Sequence, residues 1–215
     1  MNKMNKRSGY YEIGLDIREI LTDGGMIEEL FYLQDLQQRK LFLNSEINPY
    51  TVADIIKHIM QFNAEDRETE PENREPILLY ITSVGGDVDS GFALIDVIKT
   101  SKTPVYTVNI GFQYSMGFLI GLAGHKRFAF ENSKFLMHDG SQLVYNSGAK
   151  ARDQMEFQRR AEDRIKQYVI SNSKLTEEMY DEKFRVEWYM FADEALEYGF
   201  TDEIVGSTAE LENIV

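Results

Sequence analysis

Ile77-Leu78-Leu79-Tyr80-Ile81-Thr82-Ser83-Val84-Gly85-Gly86-Asp87 is the stretch that decides the fold. Its first five residues are an unbroken apolar run of strand length, and a strand without polar alternation is one covered on both faces, as in a parallel sheet. Gly85-Gly86 then turns the chain into a helix carrying Val88, Phe92, Leu94, Ile95 and Ile98. This is one β-α unit. A second follows: Thr103-Pro104 breaks the helix, Val105 to Ile110 reads as a strand ending at Gly111, and a helix runs from about Ser115 to Gly124.

Working outward, Leu41-Phe42-Leu43 reads as a short strand, and Asn48-Pro49 opens a helix with Val52, Ile55, Ile56, Ile59 and Met60 at three-to-four spacing. Asn63 to Pro76 holds six acids and two arginines, the composition of a solvated loop. Phe128-Ala129-Phe130 and Lys134 to Met137 are further short strands. A long helix from about Ala149 to Ser171 carries Met155, Ile165, Tyr168 and Val169 on one side. Alternating strands and helices imply an α/β fold with largely parallel strands. Residues 1–36 are set apart as an N-terminal arm, and residues 37–215 form a single domain.

With 215 residues, 43% of them apolar and 12% aromatic, the chain can build one sizeable core. It has no cysteine, which excludes disulfides, thiolate metal sites and a cysteine nucleophile. Acidic residues outnumber basic ones 36 to 23, a net charge of −13, so nucleic acid is a poor partner. The basic Met1–Arg7 segment runs straight into Ser8-Gly9-Tyr10-Tyr11-Glu12, where a secretory signal needs an apolar stretch. Met116 to Ala123, the longest apolar stretch, is far short of the roughly 20 residues that cross a bilayer. A cytoplasmic protein with no membrane partner is expected.

Gly111-Phe112-Gln113-Tyr114-Ser115-Met116-Gly117 is the segment richest in chemistry. A serine at a strand-to-helix turn sits where free backbone N–H groups can stabilise an alkoxide or a tetrahedral oxyanion, although serine in the same place also serves as a plain helix cap. A nucleophilic serine needs a base, and the chain has three histidines. His58 lies within a helix and His125 in the Gly124-His125-Lys126-Arg127 turn. His138 follows the strand ending at Met137 and precedes Asp139-Gly140, at the kind of strand end where α/β folds collect catalytic groups. No two histidines stand at metal-ligand spacing. The Gly85-Gly86 pair can bring a backbone N–H close to an anion or simply make a tight turn, and it lacks the nucleotide-loop pattern.

Together these segments resemble the proteolytic subunits of the Clp ATP-dependent proteases, serine peptidases of the Clp/crotonase fold. The resemblance runs from about Leu41 to Val205. Ile81 to Gly86 is similar to the family's I-N-S-P-G-G turn, Gly111 to Gly117 to its G-x-A-A-S-M-G nucleophile segment, and Asn132 to His138 to its N-S-x-x-M-I-H strand. Trp188 to Gly199 is similar to its F-x-S-A-x-E-A-x-E-Y-G tail. The resemblance implies that Ser115 is the nucleophile, His138 the general base and acid, and Gly86 and Met116 the backbone donors of an oxyanion hole. The family's third triad member, an Asp, falls on Glu187 here, with Asp181 and Asp139 as substitutes. Further departures are Val84 for the family's Pro and His138-Asp139-Gly140 for its H-Q-P.

The resemblance also implies a protruding handle at about residues 139–172, a homo-oligomer of two stacked heptameric rings, a partner AAA+ unfoldase hexamer and unfolded polypeptide substrates. It implies no cofactor bound by this chain, the ATP being used by the separate unfoldase. Two other classes remain on the same fold: a catalytically inactive ring subunit and a crotonase-type acyl-CoA enzyme.

Overall fold

The apolar run at Ile77 becomes the central part of a parallel sheet in the computed structural model of the chain, which describes residues 27–140, 147–184 and 186–215. Strands β1 (Lys40–Leu43), β2 (Ile77–Ser83), β3 (Val105–Tyr114), β4 (Lys126–Phe130) and β7 (Glu203–Val205) lie in the spatial order β1-β2-β3-β4-β7. All pairings along that path are parallel, which bears out the α/β expectation. β5 (Lys134–Met137) pairs parallel with β3, and β6 (Trp188–Phe191) pairs antiparallel with β5.

Alternate residues of β2 enter two cores. Ile77, Leu79 and Ile81 point into the main core with helices α2 (Pro49–Glu65), α3 (Val88–Thr100) and α4 (Met116–Gly121). Leu78 and Tyr80 enter a smaller one with Val108, Phe128, Val205, Ala209 and Ile214. The C-terminal turn at Leu211–Ile214 thus covers the second face, and the Tyr80 hydroxyl donates to the Ile214 carbonyl. A strand roofed on both sides has no need of polar alternation, which is why Ile77 to Ile81 reads as it does.

The helix at Asn48-Pro49 forms as expected. Asn48 Oδ1 accepts from the N–H groups of Tyr50 and Thr51, Thr51 returns the bond to the Asn48 N–H, and Pro49 fills a position that needs no N–H donor. Val52, Ile55, Ile59 and Phe62 are buried, whereas Met60, expected in the stripe, is 62% exposed. Helix α1 (Ile27–Gln37) begins in the stretch set apart as an arm and ends one residue past it, and its Leu36 is buried in the main core. Residues 1–26 lie outside the described residues.

The acidic Asn63–Pro76 stretch is not the plain solvated loop its composition suggests. α2 continues to Glu65, two short 3-10 turns follow, and Asp66 is only 7% exposed. Arg39 makes a two-pronged bond to Asp66, at 2.6 and 2.7 Å, and the Thr103 hydroxyl donates to the same carboxylate at 2.8 Å. Burial pushes the Asp66 carboxyl up, but these donors outweigh it and hold it below its ordinary value. Removing one member of a buried pair strands the other, so Asp66→Ala is expected to lower unfolding stability by about 3 kcal/mol. Because the folded-state value is depressed, the stability this carboxylate contributes is present above the unfolded value and is lost as pH falls through the folded one. Thermal melts from pH 6 down to pH 3 are expected to show a steeper fall for the parent than for Asp66→Ala. Parallel curves would refute the assignment.

β3 runs three residues beyond the expected end at Gly111, to Tyr114. Its first half pairs with β4, from Tyr106↔Lys126 to Asn109↔Ala129, and its second half with β5, from Phe112↔Lys134 to Tyr114↔Leu136. Against β2 the register passes from Ile81↔Asn109 to Ser83↔Gln113, a bulge that lets one strand serve two neighbours. Asn109, fully buried, holds the switch: its Nδ2 donates to the Lys134 carbonyl, its Oδ1 accepts from Gly111 N–H, and its carbonyl accepts from Ser133. The glycine that looked like a strand end is part of that bulge.

Helix α5 (Gly148–Ser171) is the long helix expected after Ala149. Val169 is buried, and Ile165, Tyr168 and Ile170 pack on the main core. Met155 is 61% and Phe157 63% exposed, so the far end of the helix stands clear of the subunit's own core. Residues 141–146, which include most of the segment expected to precede this helix in the handle, lie outside the described residues. No helix among the described residues is long and apolar enough to cross a membrane.

Candidate active site

Ser115 is where β3 ends and α4 begins, and its backbone is held at φ 54°, ψ −121°. A non-glycine residue there is strained by about 1–3 kcal/mol, a cost that persists only where the surroundings enforce it. Three hydrogen bonds hold it. The Ser115 N–H donates to the Leu136 carbonyl of β5 at 3.0 Å, and its carbonyl accepts from the Phe118 and Leu119 N–H groups. The side chain makes no capping hydrogen bond, so the plain helix-cap reading of this serine does not apply. α4 is also shorter than expected, ending at Gly121.

The Gly85-Gly86 turn lies directly against the serine. A Cβ placed on Gly85 would fall 2.7 Å from Ser115 Cβ and 3.0 Å from Met116 N. Gly86, at φ 145°, is pinned from its other side by Ile47. Ile47 N–H donates to the Gly85 carbonyl and Asp87 N–H to the Ile47 carbonyl, both at 2.8 Å. Ser83 completes the brace, its hydroxyl donating to the Ser45 carbonyl and accepting from Gly85 N–H. Asp87 then caps α3 through the Ser90 N–H. Within the described residues no internal hydrogen bond takes up the N–H of Gly86 or Met116. The Met116 side chain is buried against Gly91, so this residue offers only its backbone.

His138 and Glu187 meet because of strand register. β5 and β6 pair in antiparallel fashion from Lys134↔Phe191 to Met137↔Trp188, and the next rung is His138 opposite Glu187. His138 Nδ1 stands 3.5 Å from Glu187 Oε1. The other carboxylate oxygen accepts from the Tyr189 hydroxyl at 2.8 Å. The extra methylene of Glu over Asp is thus accommodated by an exposed side chain that folds back along its own strand. Of the substitute acids, Asp181 is held by Lys166 at 2.7 Å, and neither a hydrogen bond nor an ion pair joins Asp139 to His138.

Ser115, Gly86 and Met116 therefore cluster at one strand end, and His138 with Glu187 at the next. Leu136, whose carbonyl holds Ser115, is two residues before His138. No hydrogen bond joins the Ser115 hydroxyl to the imidazole in this single subunit. Nucleophile–base bonds are commonly long before substrate binds. The other histidines have structural roles. His125 Nδ1 accepts from Val105 N–H, and His58 is half-buried with its Nε2 at 2.8 Å from the Tyr32 hydroxyl. Burial holds the His58 imidazole below its ordinary value. Among the described residues no group of three or more His, Asp or Glu is placed to hold a metal.

Sequence reasoning missed Ile47 and Tyr189. Nothing in the apolar Ile47 announces that its backbone clamps a turn nearly 40 residues away, whereas Tyr189, two residues after the carboxylate in a strand, shares its face by simple alternation.

A serine on a strained strand-to-helix turn, an imidazole at the adjacent strand end and a carboxylate across from it are the residue types a serine hydrolase uses, carried on neighbouring strand ends of an α/β sheet. The comparisons with known proteins carry this further. The family model described as Clp protease matches residues 25–208. The chain is 28% identical over 186 residues to the ATP-dependent Clp protease proteolytic subunit 2 of Treponema pallidum, covering 86% of this chain and 90% of that protein. It is 31% identical over 181 residues to proteolytic subunit 2 of Thermobifida fusca, covering 82% and 85%. It is also 31% identical over 184 residues to proteolytic subunit 3 of Streptomyces coelicolor, covering 83% and 80%. The chain belongs to the Clp protease family, and its class is that of a serine-type peptidase.

Proposed function

We propose that this chain hydrolyses unfolded polypeptides with Ser115, His138 and Glu187. Ser115 Oγ attacks the peptide carbonyl while the His138 imidazole takes its proton, and Glu187 holds the ring and stabilises the imidazolium that forms. The oxyanion is received by the N–H groups of Gly86 and Met116. The imidazolium gives its proton to the leaving amine, and water, activated by the same imidazole, releases the acyl group from Ser115. The observation that carries this reading is the β5–β6 register, which sets Glu187 opposite His138 on the strand whose Leu136 carbonyl fixes the Ser115 backbone.

The same reading includes assembly. Met155 and Phe157, exposed on the far half of α5, are apolar surface that a second subunit would cover, in keeping with a handle that joins two stacked heptameric rings. An AAA+ unfoldase hexamer, a separate chain that uses ATP, would deliver substrate in the cytoplasm. No cofactor is required of this chain for the chemistry described. If Glu187 is the orienting acid, Glu187→Gln is expected to lower kcat for a fluorogenic peptide by about 10⁴-fold, as loss of the acid does in other triads, with sedimentation unchanged. An unaltered rate would remove Glu187 from the mechanism.

A further inference from the structure

We propose that Tyr189 is a positioning residue for the catalytic carboxylate: its hydroxyl holds Glu187 Oε2 so that Oε1 is presented to His138. This rests on the reading of Glu187 as the triad acid. The Glu187 side chain is 61% exposed, and a glutamate has one more rotatable bond than an aspartate, so packing alone does not fix where its oxygens point. Among the described residues the Tyr189 hydroxyl is the one hydrogen-bond donor to this carboxylate, at 2.8 Å.

The tyrosine is itself tied to the sheet through its β5 neighbour. On β6 it pairs with Leu136, and Leu136 pairs in turn with Tyr114 of β3, so Tyr114, Leu136 and Tyr189 form one row across three strands. The Tyr189 ring meets the Tyr114 ring edge-on, with centroids 5.8 Å apart. Tyr114 immediately precedes Ser115. One aromatic contact therefore ties the donor that fixes the acid to the strand that presents the nucleophile. The hydrogen bond to Glu187 pushes the Tyr189 phenol up from its ordinary value, so the hydroxyl keeps the proton it donates.

A double-mutant cycle on the assembled protein tests this, with a fluorogenic peptide as substrate. Tyr189→Phe keeps the ring against Tyr114 and removes only the donor. It is expected to lower kcat about 10-fold, the usual loss for one hydrogen bond to a charged group, and to leave KM unchanged. In a Glu187→Ala background, Tyr189→Phe is expected to change kcat by less than about twofold, since there is no carboxylate left to position. Equal losses in both backgrounds, or no loss in either, would overturn the role of Tyr189. A Glu187→Ala protein as fast as wild type would instead overturn the triad assignment beneath it, so the two failures are told apart.

Discussion

Ser115→Ala is expected to lower kcat for peptide hydrolysis by about 10⁵-fold while leaving the fold intact. The loss is this large because, in the proposed mechanism, the hydroxyl oxygen is the atom that forms the bond to the peptide carbonyl. Alanine keeps the Cβ and therefore the backbone strain at φ 54°, so its effect isolates the oxygen. Ser115→Gly separates the other contribution. A glycine adopts this conformation without the steric penalty, and the variant is expected to melt higher than Ser115→Ala by an amount corresponding to about 1 kcal/mol, while being equally inactive. Calorimetry beside the peptide assay checks both. An Ala variant with substantial activity would remove Ser115 as nucleophile, and a Gly variant no more stable than Ala would show that the strain is not carried at this residue.

Gly86→Ala is expected to lower both activity and stability, and its effect comes from the backbone. A Cβ at this position would lie 2.3 Å from the Ile47 carbonyl oxygen and 2.8 Å from Ile47 N, at a φ of 145° that side chains rarely adopt. Neither contact is with a flexible group, so the Ile47 bridge must open and the Gly86 N–H must turn away from the oxyanion position. Loss of one oxyanion donor costs about 100-fold or more in kcat, so at least that loss is expected, together with a lowered melting temperature from the broken bridge. Gly148→Ala supplies the control: a Cβ there meets nothing within 4 Å, and activity is expected to be unchanged. Should Gly86→Ala retain wild-type kcat, the oxyanion hole would have to be sought elsewhere.

Much of this arrangement was legible in the sequence because it depends on local signals. An apolar run followed by a glycine pair, a serine at a strand-to-helix turn and a histidine at a strand end can each be read within ten residues. What escaped depends on pairing between distant segments. Gly111 read as the end of β3, yet the chain bulges there around the buried Asn109 and continues to Tyr114, which is what puts Ser115 beside Leu136. Asp66 is one acid among several in an acidic stretch, and only its meeting with Arg39 and Thr103 makes it structural. The resemblance pointed to Glu187 by position, but the reach of its longer side chain to His138 follows from the β5–β6 register, which composition does not encode. Ile47 and Tyr189 act through a backbone carbonyl and a hydroxyl whose partners lie across a turn and along a strand face. Neither residue type is chemically conspicuous where it stands.

Mass spectrometry of the intact protein after treatment with a serine-directed phosphonate tests the central assignment most directly, since only a serine activated by a neighbouring base, with an oxyanion site beside it, reacts readily. A single adduct per subunit, mapped to Ser115 and lost in the Ser115→Ala and His138→Ala variants, is the expected result. A protein that hydrolyses peptides yet stays unmodified, or carries the adduct on another residue, would contradict the assignment.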